Sequence, residues 1–250
     1  MQTEIGFHMK RTSYLKRHLF LHFMTLSQFL KELNGNRVEG ELIKTILYSL
    51  ATSAFIFFLI YYLRFRFMDD FFTKQGFYLF FALLSYALLT PVVRQVRAYK
   101  EFTCMTGMML GMTLGMIAGF LTGFFIGATN GMFYGSVFGM VVGIFLGGWM
   151  GSCCGVMGFM EGIMAGFMGG IMGAMTSVML LNDHLQAATV IVFLVGGVIL
   201  VALNYLIYHE MKENERQKQE DHIMTMTLTS LLTLLTLWLM VWGPRSALFG

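Results

Sequence analysis

Glu161 is the residue of this chain whose position most strongly suggests chemistry. It is the one charged side chain between Glu101 and Asp183, and no lysine or arginine lies between Lys100 and Lys212. A charged carboxylate inside an apolar helix costs ~2.5 kcal/mol or more to insert into a bilayer. We therefore expect Glu161 to be protonated, hydrogen-bonded or bound to a cation.

Methionine is the second residue type with chemical potential, because the chain holds 23 copies, many at four-residue steps. At 100° per residue, Met157, Met164 and Met168 fall within about 60° of Glu161 on a helix. Met108 and Met112 repeat the spacing earlier in the chain. Thioether sulfur is a soft ligand that suits Cu(I). The pattern predicts a copper ion as the bound group, with packing by flexible methionine as the simpler alternative.

Glycine recurs at every fourth residue around these methionines, which favours close helix packing. Residues four apart share one helix face, and a face without side chains lets two backbones approach closely. The positions predicted to serve packing are Gly107, Gly111, Gly115, Gly119, Gly158, Gly162 and Gly166. The spacing leaves open whether these faces meet within one chain or between chains.

The composition places the chain in the integral-membrane class, since 56% of its 250 residues are hydrophobic and 12% are charged. Apolar segments predict seven membrane spans at approximately 45–63, 76–93, 103–127, 131–151, 155–180, 186–208 and 223–242. The second span is expected to end near Pro91. The predicted fold class is thus an all-α polytopic helix bundle of about seven transmembrane helices with a glycine-zipper core.

Four regions follow from this division of the chain. Residues 1–40 are predicted to form a basic amphipathic helix on the membrane surface, and 41–102 to hold two transmembrane helices. The Gly/Met-rich core is 103–181, and 182–250 holds two more helices around a charged cytoplasmic loop. With the N-terminus inside, 13 of the 17 lysines and arginines lie on the cytoplasmic side, which predicts a C-terminus outside.

The MxxxM spacing beside GxxxG resembles the Ctr-type copper uptake transporters. That resemblance covers Met108 and Met112, or Met160 and Met164, with the neighbouring glycines. Ctr-type proteins have three spans and Met-rich extracellular tails, whereas this chain has seven predicted spans and no such tail. The glycine block is also similar in composition to Met/Gly-rich membrane modules beside copper proteins in bacteria, which implies a bacterial plasma membrane.

We expect no enzyme activity, because HExxH, GxSxG and P-loop motifs are missing from the sequence. The main hypothesis is a membrane protein that binds or conducts Cu(I) through its methionines and Glu161. One alternative is an accessory subunit whose glycine faces mediate oligomerisation or packing on other membrane subunits. Another is a proton or cation pathway through Glu161. The expected surroundings are the lipid bilayer and a homo-oligomer or partner subunits, without nucleic acid.

Overall fold

The computed structural model describes residues 40–63, 71–99, 102–211 and 222–244. The predicted surface helix of residues 1–40 lies outside these ranges, except for its last residue. Most of the charged loop between the last two predicted spans also lies outside them.

The described part of the chain consists of seven α-helices and no strand, which confirms the all-α bundle. The helices are α1 Gly40–Leu63, α2 Phe71–Ala98, α3 Cys104–Asn130, α4 Met132–Gly151, α5 Gly155–Met179, α6 Leu185–Met211 and α7 His222–Trp242. Six of them, α2 to α7, are long and apolar enough to cross a bilayer. The apolar part of α1, Lys44–Leu59, is shorter. Helix is the expected form, because a backbone in lipid must satisfy its hydrogen bonds internally.

Helix α2 extends further than its sequence predicts. The expected end near Pro91 is wrong, since the helix continues through Pro91 to Ala98. Proline removes the N–H that would bond to the carbonyl of Ala87. The Thr90 hydroxyl oxygen lies 3.1 Å from that carbonyl oxygen and supplies a donor in its place. A local side-chain hydrogen bond thus allows the helix to pass the proline.

Helices α3, α4 and α5 pack through layers of glycine backbone. Each layer takes one residue from each helix, and successive layers are four residues apart. The layers are Gly111/Gly151/Gly158, Gly115/Gly147/Gly162, Gly119/Gly143/Gly166, Gly123/Gly139/Gly170 and Gly127/Gly135/Ala174. The pairings show that α5 runs parallel to α3 and that α4 runs antiparallel to both. The glycine faces therefore meet within one chain.

The contacts in these layers are between backbone atoms. A Cβ atom added at Gly119 would lie 2.8 Å from the carbonyl oxygen of Gly166, and one at Gly143 would lie 2.9 Å from the Cα of Gly119. Real Cβ atoms essentially never come so close to backbone, so alanine would not fit without a shift of the helices. The tight packing requires glycine in particular.

Two glycines make the short connections between these helices possible. Gly131, between α3 and α4, has φ 105°, and Gly155, at the start of α5, has φ 77°. Side chains disfavour both values, whereas glycine adopts them readily. A single turn of 3₁₀ helix, Ser152–Cys154, completes the second connection. The reversals after Asn130 and Gly151 bring consecutive glycine faces together.

Helix α3 also connects the glycine layers to the rest of the bundle. Its other faces carry buried Leu110, Leu114, Phe124 and Phe125, which belong to the main hydrophobic core. This core is shared with α2, α6 and α7, all of which contact α3. On the far side, α1, α2 and α7 pack against one another. Helices α4 and α5 thus keep an outer face that no described helix covers.

Candidate functional site

The methionine face of α5 points away from the glycine layers. Met157, Met164 and Met168 are exposed by 66%, 64% and 55%, and Met172 lies on the same face. The opposite face carries the buried glycines from Gly158 to Gly173. Because these glycines are in contact with backbone, long side chains can only occupy the outer side. We call the stripe formed by Met157, Glu161, Met164 and Met168 the methionine face.

Glu161 lies within this face and is half-buried. It precedes Gly162, a member of the second glycine layer. Six residues separate it from Gly155, which places it about 9 Å along the helix from its start at 1.5 Å per residue. Among the described residues its carboxylate makes no hydrogen bond or ion pair. The acid is held at a fixed height on a rigid helix, and its side chain is directed outward with the methionines.

The predicted ligands on α3 lie beside this face. Met112 is exposed by 50% and Met108 is half-buried. One turn after Met112, the backbone of Met116 contacts Gly169 of α5. The edge of α3 that carries Met112 therefore borders α5. The two sets of methionines belong to one continuous outer surface, and they do not surround a closed cavity inside the chain.

The predicted packing glycines are all buried, from Gly107, Gly111, Gly115 and Gly119 on α3 to Gly158, Gly162 and Gly166 on α5. All but Gly107 are members of the layers described above. Their role in the structure is to fix the register of three helices. That register decides which side chains share the outer surface.

Cysteine, histidine and aspartate, the other side chains that commonly bind metal ions, are dispersed in the described part of the chain. Cys104 and Cys153 are exposed cysteines near the same end of the three-helix core. His184 and Asp183 lie at the opposite end, where Nδ1 and Oδ1 are 2.8 Å apart in an exposed turn. Within the described ranges no three His, Cys, Asp or Glu residues come together in a way that could hold a metal ion. Any metal site on this surface would depend on thioether sulfur.

A second group of polar residues, which the sequence analysis did not single out, lies buried around α2. Arg94 is only 3% exposed, and its Nη1 donates a hydrogen bond to Thr45 Oγ1 of α1 at 2.6 Å. On another side of α2, Gln95 Nε2 lies 3.4 Å from the backbone oxygen of Asn204 on α6. From the sequence alone, Arg94 is expected to be one of several charged residues in a loop, after a span that ends at Pro91. The i, i+4 steps Thr45–Ser49 and Thr90–Arg94 are the signal that could have identified this group.

The charged residues nearest the helix ends make different contacts. Glu210, near the end of α6, accepts hydrogen bonds from the hydroxyls of Thr103 and Thr106 at the start of α3. The Arg97 guanidinium lies 4.9 Å from the ring centroid of Trp149, which is a cation–π arrangement. These contacts connect α2, α3, α4 and α6 at one end of the bundle. They are typical of the polar boundary of a membrane protein.

Comparison with known proteins identifies no relative of this chain: no family model, curated protein or solved structure matches it.

Proposed function

We propose that this integral membrane protein binds a soft metal ion, Cu(I), on the methionine face of α5. The observation that carries the proposal is the alignment of Met157, Glu161, Met164 and Met168 on the outer side of a helix whose inner side is held by glycine contacts. The thioethers are thus presented at one-turn intervals on a rigid support.

The ligand chemistry supports a monovalent soft ion. Thioether sulfur remains unprotonated at all physiological pH values and prefers Cu(I) to hard cations. A carboxylate in the same stripe would neutralise the charge of the ion, which lowers the cost of placing that ion in hydrocarbon. Residues four apart on a helix are about one turn, or roughly 6 Å, apart. Neighbouring ligands could therefore hold an ion in turn and pass it along the face.

The test is metal analysis of the full chain purified in detergent. The protein is offered Cu(I) under reducing conditions, and bound copper is measured by elemental mass spectrometry. The stripe variant is Met164→Leu/Met168→Leu. Its matched control is Met132→Leu/Met224→Leu, which removes two exposed methionines on α4 and α7, away from the stripe. We expect near-stoichiometric copper in the wild type and the control, and its loss from the stripe variant. A wild type that stays empty, or equal copper in both variants, would overturn the proposal.

A second candidate function is that of an accessory subunit whose outer α5 face binds a partner helix. It is favoured by the position of Glu161, a half-buried carboxylic group on a face that no described helix covers. The glycine faces contact one another within the chain, so this version of the hypothesis assigns partner binding to the methionine face instead. A partner that offers a hydrogen-bond donor would satisfy the carboxylate.

Glu161 variants separate the candidates. If a partner helix or a second copy binds there, Glu161→Leu should shift the detergent-solubilised protein to a smaller species on gel filtration. If Glu161 acts alone in a proton or cation pathway, Glu161→Gln should remove flux in proteoliposomes without changing the size of the particle. Retention of both the particle size and the flux in these variants would argue against both alternatives.

A further inference from the structure

Helices α3 and α6 leave a groove between them, and every residue that lines it is apolar. Its volume is about 320 Å³, and its lining includes Ile117, Phe120 and Leu121 of α3 and Val195, Gly196 and Ile199 of α6. An apolar cavity of about 150 Å³ already binds a molecule as large as benzene. We call this feature the α3–α6 groove.

The groove lies at the depth of the lipid chains. Along α6 its lining extends from Ile191 to Ile199, which is roughly 9 to 21 Å from the start of the helix at 1.5 Å per residue. A helix of 27 residues is about 40 Å long and crosses a hydrocarbon core of about 30 Å. The groove therefore occupies the half of that core nearer to Leu185, the first residue of α6.

The floor of the groove is buried, whereas its rim is open. Ile117 and Leu121, on the floor, are exposed by only 9% and 4%. On the rim, Val195 and Ile199 are exposed by 53% and 41%. Exposed apolar side chains continue from the rim along the outer face of α6, which is the least buried of the six long apolar helices. The groove is thus continuous with the surface that faces lipid.

Gly196 keeps the groove open above Leu121. The atoms nearest to a Cβ added at Gly196 belong to the Leu121 side chain, at an ordinary 3.5 Å or more. The left-handed φ values of the described glycines are at Gly131 and Gly155, not at Gly196. Neither packing nor backbone conformation requires glycine at this position, although glycine is a poorer helix former than alanine. The effect of the missing side chain is the space in the groove.

Two other occupants fit this lining less well. A buried water needs two to four polar partners, and the lining side chains offer none. Helices in lipid pack closely where small residues lie at the contact. The rim of the groove carries Ile191, Val195 and Ile199 instead.

We propose that the α3–α6 groove binds one acyl chain of a phospholipid from the surrounding bilayer. A hydrocarbon chain is narrow and flexible, so it enters between the rim side chains and contacts Ile117 and Leu121. A chain in the groove gains the dispersion contacts that a void would forfeit. Because the lining is apolar and lies at hydrocarbon depth, the groove selects the chain and not the headgroup.

The experiment uses photolabelling of the full chain in phosphatidylcholine liposomes. A small fraction of the lipid carries a photoreactive diazirine in one acyl chain, and peptide mass spectrometry identifies the labelled residues. Lipids that merely surround the protein reach exposed side chains, whereas a chain in the groove also reaches the buried floor. We expect label on Ile117 or Leu121. We expect none on Leu110 and Leu114, which are at least as buried on α3 and lie outside the groove.

A variant of Gly196 and a matched control test whether the label arrives through the groove. Gly196→Leu adds a side chain at the floor and should remove the label from Ile117 and Leu121. Gly197→Leu adds the same side chain one residue later, where a Cβ meets only Leu88 Cδ1 at 3.6 Å, and should keep the label. Phosphatidylglycerol with the same diazirine chain should label the floor to the same extent as phosphatidylcholine.

Three results would overturn the proposal. The first is a wild-type floor labelled no more than Leu110 and Leu114; if that protein also elutes as a dimer, the groove belongs to a second copy. The second is equal floor labelling in Gly196→Leu and its control, and the third is labelling that requires one particular headgroup.

A second pair of variants applies if Gly196→Leu does not fold. Val195→Trp then replaces it, with Val198→Trp as the control, because Val195 lines the groove and Val198, exposed by 68%, does not. Loss of the floor label in Val195→Trp alone supports the acyl-chain site, and equal labelling in both variants counts against it.

Discussion

The Thr90 hydroxyl lies 3.1 Å from the carbonyl oxygen of Ala87, the group that Pro91 leaves without its usual backbone donor. It is also 3.2 Å from the carbonyl oxygen of Tyr86. Both carbonyls belong to a buried stretch of α2. Thr90 therefore allows a proline to be placed inside a membrane helix without an unsatisfied buried acceptor.

This relationship predicts that the effects of Thr90 and Pro91 on stability depend on each other. Thr90→Val should lower the free energy of unfolding by about 1–3 kcal/mol, because the Ala87 carbonyl loses its donor. In a Pro91→Ala background the new N–H bonds to that carbonyl, and Thr90→Val should cost less. Unfolding by SDS in mixed micelles, followed by circular dichroism, gives the four free energies of the cycle.

Thr90 carries one hydroxyl proton, so while it donates to the Ala87 carbonyl the contact with Ser49, at 2.9 Å, needs Ser49 as the donor. The loss of that contact is the same in both backgrounds and cancels in the coupling term. We expect a coupling of about 0.5–3 kcal/mol. Additive effects would mean that the hydroxyl serves only Ser49 and that the bypass of Pro91 has another cause.

The second prediction is that glycine-to-alanine substitutions differ sharply in their effect on stability, depending on whether the glycine belongs to one of the layers. Gly119→Ala places a Cβ 2.8 Å from the Gly166 carbonyl oxygen and 3.0 Å from the Gly170 nitrogen. Backbone atoms of packed helices cannot move aside as the end of a flexible side chain can. We therefore expect the free energy of unfolding to fall by about 1–3 kcal/mol, as for other overpacked cores. The measurement is the thermal unfolding midpoint in detergent.

The matched control for this change is Gly197→Ala on α6. Its added Cβ would meet only Leu88 Cδ1, at an ordinary 3.6 Å. Alanine also favours the helix by about 1 kcal/mol relative to glycine. Gly197→Ala should therefore leave the midpoint unchanged or raise it. Equal losses in the two variants would show that the helices do not pack in the described register.

The extent to which sequence predicts this fold differs between its two halves. The four-residue glycine repeat identifies α3, α4 and α5, and the short connections between them require reversals, so that contact between the three glycine faces could be foreseen. The repeat does not choose between contacts within and between chains, because a bare backbone face fits any similar face. The structure makes that choice through the turns at Gly131 and Ser152–Cys154.

Arg94 shows why the other half is harder to predict. A proline three residues before an arginine normally suggests a helix end followed by a loop charge. The outcome depends on a hydroxyl at position 90 and on partners from α1, which are far away in sequence. Likewise, methionine at helical spacing indicates a stripe, but only the position of the glycine face shows that this stripe points outward.

Asn130 provides a third prediction, at the junction of α3 and α7. Its side chain is fully buried, and its Nδ2 donates to the carbonyl oxygen of Leu239 at 2.8 Å. Leu239 lies in the last turn of α7, and its carbonyl oxygen also accepts the backbone N–H of Gly243 at 2.8 Å, so the Asn130 amide is its second donor. Asn130→Ala should lower the free energy of unfolding by about 0.5–1.5 kcal/mol, because one buried hydrogen bond is lost and the carbonyl keeps the other. Equilibrium unfolding in SDS measures the change.

Asn130→Asp tests the direction of this hydrogen bond. At pH 7 aspartate can still accept the bond from Thr129 Oγ1, which is 2.8 Å from Oδ1, but it cannot donate to Leu239. We expect it to destabilise the protein at least as much as alanine does. If Asn130→Asp leaves the free energy of unfolding unchanged, donation to Leu239 contributes little to stability.

Substitutions in the methionine face should leave stability almost unchanged, which is our fourth prediction. Met164 and Met168 are exposed by more than half, and leucine is close to methionine in volume. The unfolding midpoint of Met164→Leu/Met168→Leu should stay within about 2 °C of the wild type, since the expected change is below ~0.5 kcal/mol. A larger loss would mean that the face packs on something in the folded protein, which favours the partner-helix function over the metal site.

The two exposed cysteines predict which ends of the helices share one side of the membrane. Cys104 begins α3 and Cys153 follows α4, and because α4 is antiparallel to α3 both thiols lie near the layer of Gly111, Gly151 and Gly158. In inverted vesicles a membrane-impermeant maleimide should label single-cysteine variants at either position. In right-side-out vesicles it should label neither, if the charge distribution orients the protein as expected. His184→Cys, placed in an exposed turn at the opposite end in a background without other cysteines, should give the reverse result. If Cys104 and Cys153 are labelled from opposite sides of the membrane, α3 and α4 do not form a hairpin. If both cysteines are labelled only in right-side-out vesicles, the hairpin is correct and the orientation of the protein is the reverse of the expected one.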